Sequence, residues 1–160
     1  MDVLVGVDLG TKCGIAWTLV DAGGHYDQTQ VSVVSYNYTK VKQQGAGMRP
    51  LMFRRDLIKL FGIIKPNEVV FENVQRHTAT YAAQIFGELR GVLMSVCEEL
   101  SIPYRGIGVT TVKKHITGKG NASKDRVRYD LKRVWSFIDR QNEDEVDALS
   151  ILKTAIDGVI

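Results

Sequence analysis

The sequence predicts an α/β domain, a mixed five-stranded sheet with helices on both faces. Three observations point to it. β-rich runs at residues 2–8, 13–20 and 30–36 are separated only by short turn-forming stretches, which suits three antiparallel strands. From residue 48 onward helix-like and strand-like patterns alternate, which suits parallel strands joined by crossover helices. Finally, Asp8 and Glu72 each stand where a strand pattern stops, and α/β sheets place their sites at such carboxyl edges.

The first run, Asp2 to Asp8, is aliphatic until it meets the acid and the break Leu9-Gly10-Thr11-Lys12-Cys13-Gly14. The second, CGIAWTLV, leads through Asp21-Ala22-Gly23-Gly24, a turn signal, to the third, QVSVVSY. Gln43-Gln44-Gly45-Ala46-Gly47 reads as a loop. After it, MRPLMFRRDLIKLFGIIK spaces its apolar residues as a basic amphipathic helix beginning near Pro50, and Pro66-Asn67 ends it. Glu68 to Glu72 is a short strand. Residues 78–100 form a long helix, in which Ala83, Gly87 and Gly91 make a small-residue stripe that permits close approach of another element, either within the chain, which is the expectation, or at a dimer interface. A strand at 102–108 follows, then a short helix capped by Thr110 or Thr111 and running through His115. A polar loop spans 117–124, a helix 124–138, and a last helix runs from about Asn142 to the C-terminus.

At 160 residues, with 44% hydrophobic and 24% charged residues, the chain reads as one domain covering 1–160 with an ordinary globular composition. No apolar stretch reaches the roughly 20 residues needed to span a bilayer. The stretch after Met1 opens on Asp2 rather than a basic region, so no signal peptide is expected. Cys13 and Cys97 lack metal-ligand spacing and read as reduced thiols, which fits a cytoplasmic setting.

The net charge of +3 identifies no partner by itself, but its distribution is informative. Lys40, Lys42, Arg49, Arg54, Arg55, Lys59 and Lys65 form one basic region. Arg105, Lys113, Lys114, Lys119, Lys124, Arg126, Arg128, Lys132 and Arg133 form another. Acids gather in Glu143-Asp144-Glu145-Val146-Asp147. Each basic run alone is compatible with a solvated helix face, but two of them around an acidic centre suit a polyanion handled at a metal site.

Asp144 and Asp147 are three apart and project from roughly one face of a helix. With Asp8 and Glu72 at neighbouring strand ends, four carboxylates would share a pocket and repel one another. Divalent cations remove that repulsion, and an all-oxygen donor set without a His or Cys cluster favours Mg²⁺ or Mn²⁺ over Zn²⁺. Two such ions about 3.5–4 Å apart suit phosphodiester hydrolysis. Each acid also has a plain structural reading. Asn142-Glu143-Asp144-Glu145 is a good capping box, worth ~1 kcal/mol. Asp8 could cap a turn, and Glu72 could be a solvated strand end.

Several stretches together resemble the RuvC-type Holliday junction resolvases of the RNase H-like nuclease superfamily. They are GVDLGTKCGIAW, VVFENV, GELRGVLM, TVKKHITGKGNASKDRV at 111–127 and DEVDALSI at 144–151. The resemblance implies an RNase H-like sheet and a Mg²⁺-dependent endodeoxyribonuclease acting as a homodimer, with two Mg²⁺ per active site and Mn²⁺ as a substitute. It places Asp8, Glu72, Asp144 and Asp147 in the metal-ligand positions, and Lys113 and Lys124 near the scissile phosphate. Branched DNA, above all the four-way junction, is then the partner. Lys113, Lys114, Lys119, Lys124, Arg76, His77 and Tyr81 are the expected DNA contacts, in the cytoplasm of a bacterial or phage-infected cell.

One position departs from the pattern. Bacterial members often carry an aromatic residue three places after the second acid, where Gln75 stands here. A phage-type member acting also on forks and flaps fits that departure, with Tyr81 either stacking on a base instead or packing within the protein. His77 and His115 are candidate helpers in proton transfer, with a structural or surface role the favoured reading for both. Other readings use the same opening string. GVDLGTKCG resembles the first phosphate loop of sugar-kinase, actin and heat-shock ATPases, but no second glycine-rich loop follows. DLGTK also resembles the YqgF nucleases linked to RNA, and a catalytically inactive branched-DNA-binding protein is a third alternative.

Overall fold

The computed structural model describes residues 1–159; the side chain of Lys42 and all of Ile160, expected at the end of the last helix, lie outside the described residues. Ten principal elements occur in the expected order. They are β1 (Asp2–Asp8), β2 (Lys12–Val20), β3 (Ser32–Asn37), α1 (Met48–Ile64), β4 (Glu68–Asn73), α2 (Thr80–Glu99), β5 (Tyr104–Gly108), α3 (Val109–Thr117), α4 (Lys124–Lys132) and α5 (Glu143–Ile156). The strands make one sheet in the order β3-β2-β1-β4-β5. β1, β2 and β3 are antiparallel neighbours, while β1, β4 and β5 run parallel.

Strand side chains alternate between the two faces, and that alternation sorts the sheet. Val5, Val7, Ile15, Val69 and Phe71 pack with Phe53, Leu57, Leu89 and Leu93 under α1 and α2. The residues between them face the other way, where Ala16, Leu149 and Leu152 meet Leu131, Trp135 and Ile138, and Val70 meets Ile151. Asp8 shares the parity of Gly6, and Glu72 that of Val70. Both acids therefore emerge on the α5 face.

α5 lies unusually close to β1 and β2. A methyl group at Gly6 would sit 2.6 Å from the Leu152 backbone N, and one at Gly14 would sit 2.0 Å from the Asp144 backbone O. Both distances are far inside van der Waals contact. Glycine at these two positions lets the helix that carries Asp144 and Asp147 rest directly on the strands next to Asp8.

Four details differ from the sequence reading. The fourth helix stops at Lys132 rather than near 138, because Trp135 turns to an extended backbone (φ −129°) that buries its indole; a 3₁₀ turn follows at Ser136–Arg140. α3 begins at Val109 after Gly108, with no side-chain cap from Thr110 or Thr111. α5 ends at Ile156. The stripe Ala83, Gly87, Gly91 is exposed, and nothing lies within 4 Å of a methyl group built at either glycine, so it does not serve packing within the chain.

Both cysteines are free and buried, and burial pushes the Cys97 thiol up to about 12. Much of the basic charge is engaged inside the domain. Arg49 is buried, Arg54 pairs with Glu99, Arg105 with Glu68, and Arg126 with Asp130. Arg128 donates to the Ile138 and Gln141 carbonyls.

Candidate active site

Asp8, Glu72, Asp144 and Asp147 all line one cavity of about 430 Å³, together with Lys12, Lys113 and Lys124. They arrive from three distant parts of the chain. Asp8 and Glu72 come from the carboxyl ends of the adjacent parallel strands β1 and β4. Asp144 and Asp147 come from the first turns of α5. The capping box at the start of α5 is real: Asn142 Oδ1 accepts from the Glu145 N–H at 2.9 Å, and Glu145 Oε2 accepts from the Asn142 N–H at 3.2 Å. Glu145 does the capping, which leaves Asp144 and Asp147 turned to the cavity.

The electrostatics match four acids held together under partial burial. Burial, then the charges of Asp147, Glu72 and Asp144, hold the Asp8 carboxyl well above the usual range. Burial and Asp147 raise Glu72 to about 7 against the pull of Lys113 and Lys124. Burial also raises Asp144 and Asp147. Lys124 Nζ stands 3.4 Å from Asp147 Oδ2 and 3.5 Å from a Glu143 oxygen, and the charge of Asp147 raises its pKa. The oxygen-only donor set suits hard divalent cations. As the side chains lie, no three acids among the described residues stand close enough to hold one ion. The ammonium of Lys124 supplies part of the compensating charge.

The raised acids have a consequence for stability. A native state holding protons that the unfolded chain has already lost is favoured at low pH, and that advantage disappears as pH rises through the folded-state values. Without divalent cations, the melting temperature should fall as pH rises from about 5 through the Glu72 value near 7, and saturating Mg²⁺ should largely abolish the fall. Circular-dichroism melts with and without chelator check this. A metal-free melting temperature that climbs over the same range would contradict it.

The other expected contacts fall in three places. Lys113 and Lys124 face the acids. Lys114 lines a separate hollow with Thr110, Thr111, His115 and Val159. Lys119 sits in the turn after α3, where its N–H donates to Thr117 Oγ1 at 3.1 Å. Gly118, at φ 79°, closes α3 there, which accounts for one glycine of the TGKG stretch. Tyr81 and His77 line an apolar cavity of about 380 Å³ that shares Leu9, Gly10 and Thr11 with the acidic one. The His77 ring lies 5.0 Å from that of Phe86, and Arg76 is on the exposed segment before α2. His115 contacts an Asp157 carboxylate oxygen at 2.6 Å.

Lys12 was not singled out from the sequence. It lines the acidic cavity, and its charge opposes the rise at Asp144. Its signal was available: a cation in the turn directly after an acid at a strand end. Glu143, which helps hold Lys124, had no separate signal within its acidic run.

Residues 4–155 match the model of the family described as "Crossover junction endodeoxyribonuclease RuvC". A protein of that description from Rickettsia akari is 29% identical over 137 residues, covering 77% of this chain and 86% of the relative. One from Chlamydia trachomatis serovar L2 is 28% identical over 157 residues, covering 94% and 88%. Among solved structures, Thermus thermophilus RuvC superposes with a TM-score of 0.80 at 20% identity, covering 98% of this chain and 95% of that one. The same protein in complex with Holliday junction substrate gives 0.78 at 20% identity, covering 99% and 98%. At that identity the likeness is one of fold.

Proposed function

This chain belongs to the RuvC family of crossover junction endodeoxyribonucleases, and from that premise we propose that it resolves Holliday junctions at the four-acid cavity. The observation that carries the reading is the meeting of Asp8, Glu72, Asp144 and Asp147, from three separated segments, with lysines facing them in one cavity. A chain built only to bind DNA has no use for half-buried, mutually repelling acids at the place where a phosphate would lie.

Two Mg²⁺ ions, or Mn²⁺ in their place, would supply the charge that activates water and offsets the leaving oxygen. Asp8, Glu72, Asp144 and Asp147 would hold that charge. Lys113 and Lys124 draw the anionic strand toward the acids, and Lys124 is placed to take up charge developing on the phosphate. Lys12 keeps Asp144 closer to its ionised form. A homodimer presents two such cavities, one for each nick of a pair. Lys114, Lys119, Arg76, His77 and Tyr81 form the wider DNA footprint. With Gln75 at the position where the family pattern often has an aromatic side chain, the constraint to a four-way geometry is weaker, so forks and flaps are accepted as well. The setting is the cytoplasm of a bacterial or phage-infected cell; no helix among the described residues is long and apolar enough to cross a membrane.

The test is a panel of labelled junctions, forks, flaps and duplexes incubated with Mg²⁺ or Mn²⁺, with cut sites mapped. Paired, symmetry-related nicks in junctions support the reading; intact DNA in every lane overturns it. RNA cleaved in preference to junctions would favour the YqgF-like alternative, and binding without cutting would favour the inactive binder. Within the same assay, Lys124→Ala should slow cleavage about 10²-fold, as loss of one preorganised charge donor does, with junction affinity changed far less. A variant that binds weakly with a shallower salt dependence, yet cuts normally once bound, would place Lys124 in the electrostatic footprint instead.

A further inference from the structure

β3 carries none of the four acids, yet it is wired to them. Ser35 is the register partner of Gly14, and Gly14 is the partner of Asp8, so one rung of the sheet runs Ser35, Gly14, Asp8. All three face α5. Ser35 Oγ donates to Glu145 Oε1 at 2.9 Å and accepts from Asn142 Nδ2 at 3.0 Å. With the two bonds of the capping box, these contacts close a ring. A capping box needs only its own two bonds to satisfy helix N–H groups. The two bonds to Ser35 do something else: they fasten the first turn of α5 to the sheet at the level of Asp8.

We propose that Ser35, Asn142 and Glu145 are positioning residues for cleavage, clamping the start of α5 so that Asp144 and Asp147 stay opposite Asp8 before any cation arrives. The proposal rests on the cation-binding reading above. Asp144 and Asp147 are repelled by Asp8 across the cavity, and a helix end is where a helix opens most easily. Repulsion therefore pushes on the least secured turn of α5, and the ring resists from the opposite side. With the turn held, cations meet a preorganised set of oxygens. Without it, the cations have to order the turn themselves. They bind more weakly, while the rate at saturation stays close to normal.

Ser35→Ala removes both side-chain bonds and leaves β3 backbone pairing in place. The Mg²⁺ concentration for half-maximal junction cleavage should rise about tenfold, the scale expected for losing a hydrogen bond to a charged group. kcat at saturating Mg²⁺ should stay within about twofold. Calorimetric Mn²⁺ binding to the DNA-free protein should weaken by a similar factor, and amide exchange at residues 143–147 should quicken. Ser35→Thr should restore all of these. Glu145→Ala should reproduce the shift, and the double variant should be no worse than the worse single one; this pair carries the test should Ser35→Ala fold poorly. A lowered kcat with unchanged half-saturation, or variants indistinguishable from the wild type, would overturn the clamp alone. Undetectable Mn²⁺ binding by the wild type would overturn the cation reading and the clamp with it.

Discussion

Asp8→Asn should abolish junction cleavage, by roughly 10³-fold or more, and at the same time make the metal-free protein harder to melt. The two effects have one origin. Asp8 is the acid whose ionisation the fold opposes most clearly, through burial and through three neighbouring carboxylates. Asparagine keeps the shape and one carbonyl oxygen but carries no charge. A cation therefore loses a principal attraction, and several kcal/mol of charge stabilisation in the transition state go with it. In the apo protein the same change removes repulsion and a desolvated charge. A gain of ~1–2 kcal/mol is expected, or roughly 3–6 °C in a domain of this size. Junction binding should change little, because the lysines and the outer footprint remain. Cleavage, gel shift and thermal melts on one preparation check all three parts. Wild-type cleavage would remove Asp8 from the chemistry. Lost cleavage together with a lowered melting temperature would make Asp8 a structural residue instead.

How much of this could be read beforehand depends on which forces act locally. Element order and type followed from apolar spacing, because strand and helix periods differ and each was sustained long enough to register. The strand ends at Asp8 and Glu72 were legible for the same reason, and the capping box at Asn142 because its residues are close in sequence. Features set by tertiary contact were not legible. The arrest of α4 at Lys132 depends on a buried pocket for Trp135, which no local propensity encodes. The small-residue stripe on α2 suggested a packed face, yet Leu89 and Leu93 on another side of that helix do the packing. The two basic regions looked like surfaces for a polyanion; in the fold Arg49 is buried and Arg105 is tied to Glu68. Ser35 meets the start of α5 only through strand register, on the rung that runs Ser35, Gly14, Asp8.

Gly14→Ala tests whether the approach of α5 to the sheet is what assembles the acids. The added methyl would lie 2.0 Å from the Asp144 carbonyl oxygen, 2.7 Å from its carbon and 3.0 Å from Ala148 Cβ. Two of those atoms are backbone, so no side chain can swing aside. The helix has to rise or tilt by about an ångström or more, and overpacking of this kind costs typically 1–3 kcal/mol. The stability loss is the smaller effect, a fall of several degrees in melting temperature. The displaced backbone belongs to Asp144 itself, so the movement carries one acid away from Asp8, and an ångström of misplacement can cost about 10²-fold in rate. Cleavage should therefore fall by that factor or more while the protein remains folded at assay temperature. Gly6→Ala also pushes on α5, but 2.6 Å from Leu152 N and two turns beyond Asp144. It should disturb stability at least as much and cleavage less, because the first turn is still held at Ser35. If Gly14→Ala melted and cut like the wild type, close seating of α5 would not be what gathers the acids. If the two glycine variants lost cleavage only in proportion to stability, the geometry at Asp144 would have no separate role.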